Sequence, residues 1–383
     1  MLQYLAEILS PLYYPTLIVV ALYFFILSLA NHYEMWRFTL GPEIFKGPLV
    51  SVLIPARNEE RNIERCLNSL LNQLYADYEI LVLDDNSTDG TLPILQRIAA
   101  ADKRVRIYSG KPLPDDWYGK PFALHQLAQH AKGEILIFTD ADTIHGPTSI
   151  SWAVTNLQGL KADMVSGYIG QVFHTFGECV TVPVMFFLTG FVIPLFLNRF
   201  SKKLSCFSAA IGQFIVIKSE VLRAIGGCEA FRKKTSEDIY MSRYVKRMGY
   251  STRFLNISEH VKCRMYKGFR SAVEGIGKNI FDFLGKNVIV LSLMAVAVFF
   301  FLFLPFPLLI GCIASSSPWA LHIVVVVILY TLTWLFMFLG QRLNWWYCFL
   351  WPLMFLILLY MAGWSYFRTV SGKGFFWKDR VVG

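Results

Sequence analysis

Three short apolar runs in the first 150 residues end in acids. Val50 to Ile54 leads into Pro55-Ala56-Arg57-Asn58-Glu59-Glu60, and Glu79 to Leu83 into Asp84-Asp85-Asn86-Ser87-Thr88-Asp89-Gly90. The third, Ile135 to Phe138, leads into Thr139-Asp140-Ala141-Asp142-Thr143. Carboxylates gathered at one place repel each other, so such a cluster is expected to hold a divalent cation, and an all-oxygen ligand set implies Mg²⁺ or Mn²⁺. Mg²⁺ takes one or two carboxylates together with substrate phosphates, which makes a diphosphate the natural ligand. Two aspartates one residue apart cannot both face the same way along a continuing strand. Where the strand ends the chain turns, leaving Asp142 to take the metal and Asp140 to reach a ribose or sugar hydroxyl. A fourth acidic motif, Ser236-Glu237-Asp238, stands immediately before a basic helix, Ile239 to Met248.

The elements around these motifs set out a scaffold. Between the first two acid-tipped strands, Ile63, Leu67, Leu70 and Leu71 share one helical face. Strand, helix, strand with polar strand ends is the pattern of an α/β fold, whose ligands bind beyond the carboxyl ends of its parallel strands. Further on, Gly212-Gln213-Phe214 and Gly226-Gly227 bracket another strand and helix, the glycines serving as tight turns.

Composition places this scaffold beside a membrane. The chain of 383 residues is 55% hydrophobic and 16% charged, against about 25% charged in an ordinary soluble domain. The apolar excess is concentrated in residues 11 to 30 and 288 to 366, while 48 to 260 read as a mixed, charged domain. Pro11 to Ala30 is long enough for one crossing and lacks a signal-peptide pattern, so it reads as a retained anchor. Val288 to Ile313, His322 to Leu339 and Trp345 to Phe367 are further candidate spans. Arg37 and Lys46 follow the first span with no base before it, which puts the large domain in the cytoplasm of a multi-pass cell-membrane protein. Four crossings return the C-terminus to the outside, whereas Arg368, Lys373, Lys378 and Arg380 favour the inside, so the two rules oppose each other there. Val180 to Leu197, interrupted by Pro183, Gly190 and Pro194, reads as an interfacial or re-entrant element. Tyr266 to Asn287 carries apolar residues at steps of three and four and reads as an amphipathic helix on the membrane surface. The domains expected are thus an anchor and linker over 1–47, a catalytic domain over 48–265, the interfacial helix over 266–287 and a C-terminal membrane region with a basic tail over 288–383.

The net charge of +9 fits anionic lipid headgroups and a phosphorylated substrate better than nucleic acid. Seven cysteines, odd in number and without CxxC spacing, read as buried free thiols in a reducing compartment.

Taken in order and spacing, the motifs at Pro55–Glu59, Asp84–Gly90, Asp140–Asp142 and Ser236–Asp238 resemble those of the family 2 glycosyltransferases of GT-A fold. Asp116-Trp117-Tyr118-Gly119-Lys120, the anchor and the apolar C-terminal third are similar to the membrane-bound subgroup that glycosylates lipids, including carotenoid-acid and hopanoid-associated enzymes. The resemblance implies a donor site in which Pro55, Ala56, Arg57 and Glu59 lie around the nucleotide and Asp85 accepts the imide hydrogen bond of uridine. It implies that Asp140 and Asp142 are the metal-associated pair, with Asp142 the direct ligand. Asp238 becomes the general base, with Glu237 the second choice or its orienting partner. Lys120 and Arg264 are candidate cations for the diphosphate, and Gln213 lies where related enzymes approach the acceptor. One base opposite the leaving group implies inversion at the anomeric carbon.

The expected function is therefore metal-dependent transfer of a hexose, glucose first among candidates, from a UDP-sugar to a membrane lipid such as a carotenoid acid, hopanoid or glycerolipid. Polymer synthesis is the alternative within enzymes. Processive family members carry Gln-x-x-Arg-Trp after the base, and Val261-Lys262-Cys263-Arg264-Met265-Tyr266 lacks both Gln and Trp. A membrane transporter or an inactive scaffold is the alternative outside enzymes.

Overall fold

The computed structural model describes residues 2–200, 204–234, 236–371, 375–377 and 380–382. The side chain of Phe283 and the tail bases Lys373 and Lys378 lie outside the described residues. A mixed seven-stranded sheet carries the polar half of the molecule. Its strands include β1 (Val50–Ala56), β2 (Tyr78–Asp84), β3 (Val105–Ser109), β4 (Ile135–Thr139) and, after the short β5 (Thr143–His145), β6 (Met164–Tyr168). After the two-residue β7 (Gly170–Gln171) come β8 (Phe214–Lys218) and β9 (Thr252–Asn256). The order is β3-β2-β1-β4-β8-β6-β9, with β8 antiparallel to both neighbours.

Helices cover both faces, which is why β2 and β4 are buried throughout their length and β1 nearly so, reading as continuous apolar runs. Because β1 is parallel to β2 and to β4, with Ala56 opposite Asp84 and Leu53 opposite Phe138, the three acid-tipped ends emerge on one edge. Strand order reverses direction between β1 and β4, where an open α/β sheet leaves its crevice. Each strand runs slightly past its apolar run.

A second, three-stranded sheet places residues far apart in sequence at that edge. β10 (Val261–Cys263) runs between β5 and β7, with Cys263 opposite both Thr143 and Gln171. Arg264 consequently leaves β10 next to the Asp140–Asp142 turn.

Among the described residues, four helices are long and apolar enough to cross a membrane: Ser10–Arg37, Val288–Ala314, Ala320–Gly340 and Trp345–Val370. They share one apolar core with the segment around Val180–Leu195. That segment is a broken series of short helices, Phe176–Thr181, Val184–Phe186, a π turn at Phe187–Phe191 and a 3₁₀ turn at Leu195–Arg199. Asn31 of the first long helix serves its irregular backbone, donating to Gly190 O at 2.7 Å and Ile193 O at 2.8 Å and accepting from Phe196 N at 3.1 Å. Irregular backbone buried among apolar helices needs such internal partners.

The helix expected on the membrane surface spans Phe269–Phe283. Its stripe at Val273, Ile276 and Ile280 is buried within the same apolar core as the C-terminal helices. The seam is close: a Cβ on Gly277 would lie 3.0 Å from Trp364, and one on Gly275 only 2.1 Å from the Tyr266 ring. These two glycines are there for close approach. Phe269, packed against Gly177, is left exposed, as is Phe176. The cysteine reading needs one correction: all seven thiols are free, but Cys206 is exposed, because it sits on a 3₁₀ turn with no buried residue.

Candidate active site

A cleft of about 630 Å³ opens at the carboxyl edge of the sheet. Every residue given a candidate donor, metal, base or acceptor role from the sequence lines it. Pro55, Ala56, Arg57 and Glu59 follow β1, and Asp85 follows β2. Arg57 Nη1 donates to Asp85 O at 2.6 Å and Asn86 O at 3.1 Å, so it braces the two loops against each other.

At the end of β4 the chain turns, and the two aspartates part company. Asp140 Oδ1 receives Lys120 Nζ at 2.7 Å. Asp142 is turned inward, and its Oδ1 is a buried oxygen with no hydrogen-bond partner among the described residues. Burial, with Asp140 and Glu59 adding to it, pushes the Asp142 carboxyl up to about 7, against the opposing effects of Cys263 and Lys120. A buried carboxyl that meets the Cys263 thiol but leaves one oxygen without a partner, held among other acids, suits a bound cation. Among the described residues no group of three or more His, Cys, Asp or Glu side chains forms a complete protein cage, as expected where substrate phosphates supply the remaining ligands.

Lys120 begins a helix, Gly119–His130, and its ammonium also reaches Glu237 Oε1 at 3.1 Å. Burial works against this charge, but Asp140 and Glu237 more than offset it and hold the lysine well above its usual pKa. Glu237 and Asp238 form the first turn of the helix Glu237–Arg247, which ends in Lys246 and Arg247, a charge order matched to the helix dipole. Asp238 Oδ2 accepts from Gly212 N at 2.8 Å and Oδ1 from Ile239 N at 2.8 Å. The N-terminal end of a helix favours an ionised carboxylate. The two N–H donors and Lys120 do lower its pKa, yet burial and the neighbouring Glu237 outweigh them and raise it to about 6.

Gln213 is buried and receives Gln171 Nε2 on its Oε1 at 3.3 Å, a pairing set up by β7. Arg264 lines the cleft with its guanidinium held by Glu178. The structure adds residues that motif reading passed over. Tyr266, Lys278 and Asn279 come from the Phe269–Phe283 helix and its approach. Burial lowers the Lys278 pKa, with Glu237 the largest opposing influence. The apolar stripe lies on the other side of this helix, and in the sequence Lys278 reads only as one of the bases off that stripe.

The lining is not acidic throughout. Met185, Leu188 and Thr189 from the broken segment and Ile276 and Ile280 from the Phe269–Phe283 helix line the same cleft, and both groups belong to or pack on the core shared with the four long apolar helices, Thr189 through the Tyr168 hydroxyl.

Residues 51–239 match the model of Glycosyl transferase family 2. The chain carries a family 2 glycosyltransferase domain. Its matches among curated proteins agree. The glycosyltransferase AglE of Haloferax volcanii is 33% identical over 124 residues, 32% of this chain and 40% of that protein. The probable glycosyltransferase YdaM of Bacillus subtilis is 27% identical over 210 residues, 54% of this chain and 49% of that protein. The matched region therefore spans less than half of either relative. Among solved structures, the mannosyltransferase PcManGT from Pyrobaculum calidifontis, in complex with GDP-Man and Mn²⁺, superposes with a TM-score of 0.54 at 19% identity. That likeness covers 92% of this chain and 99% of the other, and it shows a shared GT-A-like fold for the glycosyltransferase domain.

Proposed function

We propose that the protein is an inverting, metal-dependent hexosyltransferase that moves a sugar from a nucleoside diphosphate, UDP by the reading of Asp85, to a membrane lipid. One observation carries the acceptor class. The cleft that holds the acidic motifs runs without interruption to Met185, Leu188, Ile276 and Ile280, side chains of the apolar core built around the four long helices. A water-soluble acceptor has no need of such a wall; a hydroxylated or acidic lipid entering from the bilayer does. The anchor charges Arg37 and Lys46 favour a cytoplasmic catalytic domain, where nucleotide sugars are made.

In this reading Pro55, Ala56, Arg57 and Glu59 lie around the nucleotide, whose base hydrogen-bonds Asp85. Asp142, with Asp140 beside it, would hold the divalent cation, Mg²⁺ or Mn²⁺, whose chemistry there is to neutralise charge on the departing diphosphate. The Mn²⁺ and GDP-Man bound by the mannosyltransferase of similar fold support that assignment. Lys120 and Arg264 add fixed positive charge where the leaving group develops negative charge. Asp238, fixed by Gly212 N and Ile239 N and with a pKa near 6, takes the acceptor's proton as it attacks. A general base works best when its pKa lies near the working pH. Glu237 holds Lys120, and Gln213 stands beside the acceptor.

The test is to incubate the detergent-purified protein with labelled UDP- and GDP-sugars and a total lipid extract and to identify the labelled product by mass spectrometry. A single lipid carrying one hexose is expected. Label confined to water-soluble products contradicts the acceptor reading, and a ladder of masses separated by one sugar would mark a polymerising enzyme.

A further inference from the structure

Glu178 belongs to none of the acidic motifs. It lies on the short helix Phe176–Thr181 and is wholly buried. Its carboxylate accepts from Arg264 Nη2 at 2.8 Å and Nε at 3.3 Å, from Gly268 N at 2.7 Å and from His174 N at 2.7 Å. Burial opposes the charge, and these donors overrule it, pulling the pKa down to about 2. A buried carboxylate is retained only where its pairing is this complete.

The partners show what the pairing achieves. Two N–H groups on one edge of a planar guanidinium, both directed at one carboxylate, fix the plane of that guanidinium. Arg264 is otherwise a long side chain at the end of a three-residue strand, one-quarter exposed to the cleft. Its Nη1 has no partner among the described residues and is left for an anion. Gly268, at φ +92°, opens the helix that carries Ile276, Lys278 and Ile280 into the cleft. One carboxylate thus joins the broken apolar segment, the cation after β10 and the first turn of the helix over the acceptor end.

We infer that Glu178 is a positioning residue for sugar transfer: it holds Arg264 in the one orientation that presents the guanidinium to the donor's diphosphate and ties that orientation to the seating of the Phe269–Phe283 helix. The inference rests on the reading of Arg264 as a diphosphate contact. Glu178 itself touches no substrate, so its removal acts through Arg264.

The experiment measures affinities of the full-length protein for UDP, with Mn²⁺ present, and for uridine by displacement of UDP. GDP and guanosine replace them if the guanine nucleotide binds more tightly. Arg264→Ala should weaken UDP roughly tenfold or more and leave uridine unchanged, because a charge-assisted contact to the diphosphate is lost. Glu178→Gln should weaken UDP severalfold, leave uridine unchanged, and add nothing further in an Arg264→Ala background. Glu178→Asp keeps the charge for Gly268 and His174 but shortens the arm to Arg264, and should give a smaller loss in a protein of near-normal stability. Additive losses in the double variant, equal weakening of UDP and uridine by Glu178→Gln, or unchanged UDP binding in folded Glu178→Asp would each overturn the inference. UDP binding undiminished in Arg264→Ala would overturn the diphosphate reading of Arg264, and this inference with it. A wild-type protein that binds neither nucleotide would overturn the donor assignment itself.

Discussion

Lys120 Nζ stands 2.7 Å from Asp140 Oδ1, so a cation from the start of one helix neutralises the carboxylate at the end of β4. The same ammonium meets Glu237, and four acids, Asp140, Asp142, Glu237 and Asp238, line the cleft around it. Removing that charge leaves the acids repelling one another and, in the proposed donor complex, takes a fixed cation away from the diphosphate. Lys120→Met is expected to lower turnover and donor affinity about tenfold or more, the usual consequence of losing a charged hydrogen bond. Lys120→Arg should retain part of both. Donor titration and steady-state rates on the two variants check this.

The pH dependence follows from Asp238. A base must be unprotonated to accept a proton, so kcat/KM should rise about tenfold per pH unit below its pKa and flatten above it. That pKa is about 6, raised by burial and Glu237 and lowered by Lys120, Ile239 N and Gly212 N, with Lys278 also facing the acid group. Glu237→Gln deletes a neighbouring negative charge and should move the inflection to lower pH; Lys120→Met deletes a positive one and should move it higher. Rate profiles from pH 5 to 8 would show both shifts against the ordinary carboxylate range, and an inflection indifferent to either change would detach it from Asp238.

Metal removal should stop transfer. Excess EDTA is expected to abolish activity in the wild type, Mn²⁺ or Mg²⁺ should restore it, and Asp142→Ala should remain inactive after either addition. Full activity in EDTA would exclude the metal from the mechanism.

Packing around the acceptor wall gives a stability prediction. A Cβ at Gly275 would come 2.1 Å from Tyr266 Cε1, whereas one at Gly363 meets nothing within 4 Å. Gly275→Ala should therefore cost about 1–3 kcal/mol through overpacking and, because Tyr266 lines the cleft, lower activity too. Gly363→Ala should do neither. Thermal unfolding in detergent compares them.

The acidic edge of the cleft was legible because the three strands that end there are buried on both faces. Such strands appear as unbroken apolar runs, and the acids that end them at Asp85, Asp140 and Asp142 stand out by contrast. Asp238 was legible for a similar reason, as an acid opening a basic helix. Glu178 was not, since its importance comes from β10 lying between β5 and β7, which brings Arg264 to it across 86 residues of chain. The Phe269–Phe283 helix shows a different limit. Its period of three and four records that one face meets apolar surroundings, but lipid and a neighbouring apolar helix impose the same period, and the buried stripe meets the protein's own C-terminal helices. Lys278 lies off that stripe, where periodicity says nothing.

The central claim is that one cleft carries sugar from a nucleotide to a lipid with Asp238 as base. The most direct measurement incubates radiolabelled UDP-hexose with the protein in liposomes of total lipid extract and counts label in the organic phase, wild type beside Asp238→Asn. Asn keeps the shape of the side chain but cannot take the proton, and a positioned base contributes roughly 10² to 10⁴ in rate. The account predicts lipid-linked label in the wild type, a loss of that order in Asp238→Asn, and UDP affinity unchanged between them. Label that stays in the aqueous phase, or an Asp238→Asn protein keeping more than about a tenth of the wild-type rate, well above what loss of a base allows, would contradict it.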